Sequence, residues 1–333
     1  MKSLHAIAST IATVGAALVA VLAHAQPQLP VAPPQVLFRD RFETPKGGEA
    51  VTFQSLKAGA MDLKIPAMLF KPAGAPLGAV VIVNSPSGWS DAREGHYGRS
   101  LSSAGYAALA IDTYGPRGIQ STQADNTQLS TSAQMRDAFA ARRYLISIGY
   151  PADKLAIMGT GRGGTIALLA ADRTFLQDEQ ERFALAMAIS AGCLFHPREP
   201  RAGTKIFMAL AENDDITGVK PCERLANEYA AAGGQVVVKI YRGASNGFDG
   251  HPLLNRAIRD PVMETFVNCY VSVEPDGRSI YNGKTFAEND SGALIMEMRK
   301  SCIQHGGSGW TNPTRKANVT LDLIEFLDAN FRK

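Results

Sequence analysis

Residues 155–169 (LAIMGTGRGGTIALL) constrain the fold more than any other stretch of the chain. They read as a strand, a tight glycine turn and a helix, with no room for a loop between them. A strand this apolar must be covered on both faces, as in a sheet sandwiched between helices. The rest of the chain keeps the same rhythm. Residues 78–84 (GAVVIVN) and 107–112 (AALAID) are continuous apolar runs, and 184–190 and 205–210 are two further strand candidates. Residues 235–241 (QVVVKIY) give a last strand, and 51–56 with 62–71 an antiparallel opening pair. Helices are expected over 97–104, 130–148, from 163, over 221–232 with a stop at Gly233-Gly234, and over 317–331. Strands alternating with helices predict an α/β fold with a mostly parallel central sheet and helices on both faces.

The 333 residues, 45% of them apolar, suffice for one large core. Lys2, an apolar stretch over 6–22 and Ala23-His24-Ala25 read as an export signal with an A-x-A cleavage site. Residues 1–25 are therefore expected to be removed, residues 26–49 to form a linker, and residues 50–333 to form a single domain. Periplasmic or secreted placement is expected, with no membrane contact after cleavage. A net charge of +3 without a basic run argues against a nucleic-acid partner. Cys193, Cys222, Cys269 and Cys302 fit an oxidising compartment. Of the three pairings that four cysteines allow, Cys193–Cys222 and Cys269–Cys302 are expected. The first ties segments that follow neighbouring central strands. No C-x-x-C or close Cys/His spacing points to a metal, and no cofactor is called for. Residues 252–315, rich in Gly, Pro and Asn, break the α/β rhythm and read as a disulfide-held excursion that can wall a site.

The glycine turn has the spacing of a G-x-S-x-G nucleophile elbow, but Gly161 stands where the serine should be. Three more segments follow in order: 112–118 (DTYGPRG), 212–217 (ENDDIT) before Pro221-Cys222, and 241–249 (YRGASNGFD). Together these resemble the α/β-hydrolase fold and, within it, the dienelactone hydrolase family, from about residue 50 to the C-terminus. The resemblance implies a nucleophile, acid and base at Gly161, Asp214 and Asn246, so that only the acid remains. It also implies a His-Gly near the oxyanion hole, where this chain has Asn84-Ser85-Pro86-Ser87-Gly88.

A glycine has no atom with which to form an acyl-enzyme. Asn246 matches histidine in size and can bond Asp214, but it cannot shuttle a proton near neutral pH. Asp215 is the other candidate for the acid position. Substitute nucleophiles would be Thr160, Ser245, Ser85 or Ser87, and substitute bases His251, His96 or His196, each with an ordinary structural reading beside it. Thr160 should point away from the pocket. Arg162 opens a helix, where the helix dipole disfavours a cation, so either an internal carboxylate or a ligand anion should compensate it. Arg117 poses the same question, with a structural ion pair expected. Trp89, Tyr97 and Tyr114 follow core strands and are candidates to line the cleft. Ser85, Ser87, Arg162 and Tyr114 are the expected ligand contacts.

The residues thus predict an exported hydrolase-like protein that has lost its chemistry and binds a small anionic molecule or a protein partner. The alternative is an active carboxylic-ester or lactone hydrolase that uses a displaced nucleophile or an activated water.

Overall fold

The structure is a computed structural model, and it describes residues 43–56, 63–176, 178–201 and 203–332. The export signal at 1–25 and most of the 26–49 linker lie outside the described residues. In chain order the strands and helices are β1 (Glu49–Gln54), β2 (Lys64–Phe70), β3 (Ala79–Val83), α1 (His96–Ser103), β4 (Ala107–Ile111), α2 (Thr131–Ser147), β5 (Leu155–Thr160), α3 (Arg162–Leu169) and β6 (Leu185–Ile189). They continue with β7 (Phe195–Pro197), β8 (Lys205–Ala211), α4 (Val219–Ala231), β9 (Val236–Tyr241), β10 (Ile258–Thr265), β11 (Val271–Val273), β12 (Ser279–Tyr281), β13 (Lys284–Phe286), α5 (Ser291–Met298), β14 (Gln304–Gly309) and α6 (Pro313–Phe331).

Eight strands form one sheet in the order β1-β2-β4-β3-β5-β6-β8-β9. Strand β2 runs antiparallel to both neighbours, and the remaining pairs are parallel. The apolar runs are continuous because successive side chains enter two different cores. Ala79, Val81 and Val83 pack with α2, α3 and α4, whereas Val80 and Ile82 pack with α1 and α6. Val83 is in register with Ile111 on one side and Gly159 on the other. The loops after β3, β4 and β5 therefore leave the sheet side by side, which is where an open α/β sheet places its ligands.

Residues 252–315 form a satellite with its own small core of Val271, Tyr281, Leu294, Ile295 and Met298. Strands β10 and β14 pair antiparallel, and β11, β12 and β13 extend a second sheet from β7. Three-residue strands and the glycine-rich β14 carry no periodicity, which is why the sequence shows no elements here. Both disulfides have the expected pairing, Cys193–Cys222 and Cys269–Cys302. The second spans 33 residues of sequence. In the chain-entropy account, Cys269→Ser/Cys302→Ser is expected to cost roughly 3–4 kcal/mol. A thermal melt by circular dichroism measures this, and an unchanged midpoint would show that the satellite is held by its core instead. No helix among the described residues is long and apolar enough to cross a membrane.

Candidate functional site

A cleft of about 120 Å³ lies over the ends of β3 and β5, with Gly161, Pro86, Asn246 and Arg162 in its wall. Gly161 has φ 57° and ψ −119°, a conformation strained for any residue with a Cβ. The turn is tight because α3 lies directly on the strands. A Cβ at Gly163 would sit 2.4 Å from the carbonyl oxygen of Val83. Glycine therefore keeps the elbow's backbone while removing its reactive atom.

Asn246 donates through Nδ2 to Asp214 Oδ2 at 3.0 Å. Asp214 also accepts the N–H groups of Ile216 and Thr217 at 2.9 and 2.8 Å and the Thr217 hydroxyl at 2.6 Å. Its carboxylate is fully engaged in tying two loops together. Asp215 turns elsewhere, accepting the Ser308 N–H at 2.7 Å. The Asn246 loop also bridges to Gly309 at the end of β14.

The β3 loop holds the decisive contact. A Cβ at position 161 would lie 2.8 Å from Pro86 Cδ and 3.0 Å from Pro86 Cγ, closer than carbon side chains pack. Proline Cδ is bonded to the backbone nitrogen, where any other residue carries its amide hydrogen. The position that would aim a loop N–H at the nucleophile thus aims an apolar ring carbon there. An oxyanion hole of the usual kind draws one donor from this loop and one from the residue after the nucleophile. Pro86 is pinned, because its carbonyl accepts Thr122 N at 2.9 Å and Ser121 Oγ at 3.0 Å. A turn closed by Gly88 N on Ser85 O places proline at its favoured position. The signal was present in the sequence, as a proline inside the oxyanion loop.

Beneath this loop is a buried polar cluster whose charged pair, Arg93 and Asp249, sequence reasoning did not single out. Arg93 pairs with Asp249 at 3.2 Å and holds Ser85 Oγ and Ser87 Oγ at 2.9 and 3.2 Å. Asp249 also accepts Thr160 Oγ1 at 2.6 Å and Tyr97 OH at 3.0 Å. Burial alone would raise the Asp249 pKa, but Arg93, Thr160, Lys316 and Tyr97 outweigh it and hold the carboxyl below its ordinary value. Glu94 accepts the N–H groups of Ser85 and Ser90, fixing the loop from the other side. Asp249 closes the YRGASNGFD segment and so had a sequence signal; Arg93 had none.

Arg162 departs from the expectation of an internal salt bridge. Its guanidinium donates to Gln134 Oε1 at 2.8 Å, to Asn126 Oδ1 at 3.1 Å and to the Leu129 carbonyl. All three acceptors are neutral. Glu264 acts on it by charge from beyond the Asn126 amide, and Arg299, which pairs with Glu264 at 2.6 Å, also pairs with Asp125 at 2.7 Å. Burial lowers the Arg162 pKa, yet a guanidinium stays protonated. Arg117 does form the structural ion pair, with both Asp137 oxygens at 2.7 and 3.1 Å.

Other candidates fall outside the cleft or are otherwise engaged. Tyr114 is a correction: it is fully buried against Ile119 and Leu129, bonds Thr122 and stands behind the wall rather than in it. Trp89 and Tyr97 also pack inside, and the lining aromatics are instead Phe195, Phe266 and Trp310. Thr160 does line the cleft, contrary to expectation, although its hydroxyl is held by Asp249. Ser245 is buried outside the lining. Ser85 and Ser87 line the cleft. None of the three histidines does. His96 bonds Thr320 and is pushed down to about 4 by burial and by Lys316, while His196 bonds Glu228 and stacks on Tyr270. His251 accepts the Leu253 N–H.

A family model described as the dienelactone hydrolase family matches residues 65–252. Among solved structures, Thermogutta terrifontis esterase 2 in its apo form is similar at 16% identity, with a TM-score of 0.51 over 64% of this chain and 90% of that one. The same esterase phosphoramylated by tabun gives 18% identity and a TM-score of 0.51, over 64% and 89%. Its form phosphonylated by cyclosarin gives 17% identity and 0.51, over 64% and 90%. At such identities the likeness is one of fold. Comparison with curated proteins gave no match.

Proposed function

We propose that this chain, which belongs to the dienelactone hydrolase family, has given up ester and lactone hydrolysis and uses the family's cleft to bind a small molecule, as an exported protein. The observation that carries the reading is the packing of the Pro86 ring against Gly161. It removes the room for a nucleophile and one oxyanion donor at once. Asn246 in place of a proton-shuttling base supports the same reading. The paired cysteines fit an oxidising compartment. The acid that would orient a histidine is kept, and here it has a structural task.

Purified protein is expected to show no saturable turnover of p-nitrophenyl acetate above the rate of an unrelated protein. Saturable turnover that follows the protein through purification would overturn the reading. It would direct attention to Ser85 and Ser87, the lining hydroxyls beside Arg93.

A further inference from the structure

The eight-stranded sheet ends at β9, which pairs with β8 alone. The carbonyls of Gln235 and Tyr241 accept the N–H groups of Ile206 and Glu212 at 2.9 and 3.2 Å. Odd-numbered positions of β9 therefore turn their backbone polar groups toward β8, and Val236, Val238 and Ile240 turn theirs outward. Edge strands in native proteins are usually short, charged, bulged or covered, because an open row of N–H and C=O groups templates pairing with another chain. This strand spans six residues, keeps one register along β8 and is mostly β-branched. Val237, Val238 and Ile240 are 49%, 37% and 41% exposed. Its one charge, Lys239, is engaged by Asp322 at 2.6 Å.

The strand is complementary to itself in an antiparallel register. A two-fold axis at Val238 sets Val238 against Val238 and Val236 against Ile240. Every outward-facing position then meets an apolar one and exchanges both of its open backbone bonds with it. On the intervening positions Lys239 lies opposite Val237. Moving the axis one residue on would put Lys239 against Lys239. Moving it one residue back would put Ile240 against Gly234, which has no side chain to pack. With the axis at Val238, the exposed Arg242 of each copy stands opposite Gly234 of the other. Gly234 follows the C-terminal end of α4, where the helix dipole is negative. This charge complementarity, met twice by one two-fold axis, selects a second copy of the chain as the occupant of the edge.

We propose that β9 is the contact of a two-fold homodimer, in which two copies join their sheets edge to edge about Val238. The inference is independent of what the cleft does. In sedimentation velocity the purified protein is expected to pass from dimer to monomer on dilution from about 100 µM to about 1 µM, the affinity range of a small interface. Val238→Lys sets like charges directly opposite at the axis and should weaken association at least about tenfold. Met296→Lys, at an apolar residue 60% exposed on α5, should leave association unchanged. The four native cysteines are paired, so Val238→Cys carries one free thiol. A short bismaleimide should join two copies through that thiol at the higher concentration and not at the lower. A protein that is monomeric throughout, a dimer that Val238→Lys leaves intact, or an assembly that keeps growing with concentration would overturn the proposal. The cross-linking decides the matter even if Val238→Lys does not fold.

Discussion

A Gly161→Ser/Asn246→His variant is expected to stay nearly as silent toward p-nitrophenyl acetate as wild-type protein, and adding Pro86→Ala is expected to raise turnover by about 10²-fold. The double variant supplies a hydroxyl and an imidazole, and position 246 is already within 3.0 Å of Asp214. It leaves the new serine against Pro86 Cδ, 2.8 Å from where its Cβ must lie. The ring cannot withdraw easily, because its carbonyl is held by Ser121 and Thr122. Alanine at 86 frees that space and restores an N–H aimed at the developing oxyanion. Loss of one such donor typically lowers kcat by about 10²–10³-fold, which sets the size of the gain. Members of a catalytic unit act together, so Pro86→Ala alone should give nothing. Steady-state kinetics on the four proteins checks this. A double variant as active as the triple would remove Pro86 from the account.

Asp249→Ala should produce the largest loss of stability, about 3–5 kcal/mol, because it breaks the buried Arg93–Asp249 ion pair from the carboxylate side. It also takes the acceptor from Thr160 and Tyr97. Urea unfolding at neutral pH measures the loss, and a change below about 1 kcal/mol would mean that Arg93 finds other compensation. The pH dependence has a definite sign. The folded carboxyl titrates below its ordinary value of 3.8, so its contribution is complete above that pH and is lost as pH falls through the lower folded value. The gap between wild-type and variant stability should therefore be constant near neutrality and narrow only below about pH 4.

The central sheet was legible because β3, β4, β5, β6 and β8 are buried on both faces and read as unbroken apolar runs. The elbow, the acid loop and the Asn246 loop were legible because glycine spacing and short motifs place them at strand ends. The satellite was visible only as an interruption, since β11, β12 and β13 are too short for a period and β14 is mostly glycine and polar residues. Tyr114 was misplaced because its loop turns back under a cap in which Asp112 accepts the N–H groups of Tyr114 and Gly115. That inward turn depends on a tertiary partner, Thr122. Arg162 was framed correctly as a cation in need of compensation, but only the assembled fold shows that Gln134, Asn126 and Leu129 hold it while the Glu264 charge acts from beyond Asn126.

The contact between Pro86 and Gly161 also has a bearing on descent. While Pro86 stays, a serine at 161 meets both a steric clash and a backbone conformation that costs about 1–3 kcal/mol for a residue with a side chain. While 161 is glycine, nothing at that turn calls for an amide hydrogen at 86. Each residue thus makes the other's reversal unrewarding, and Asn246 adds a third step with no benefit of its own. On the proposed reading, the route of such a lineage back to chemistry passes through variants that are less stable and no more active.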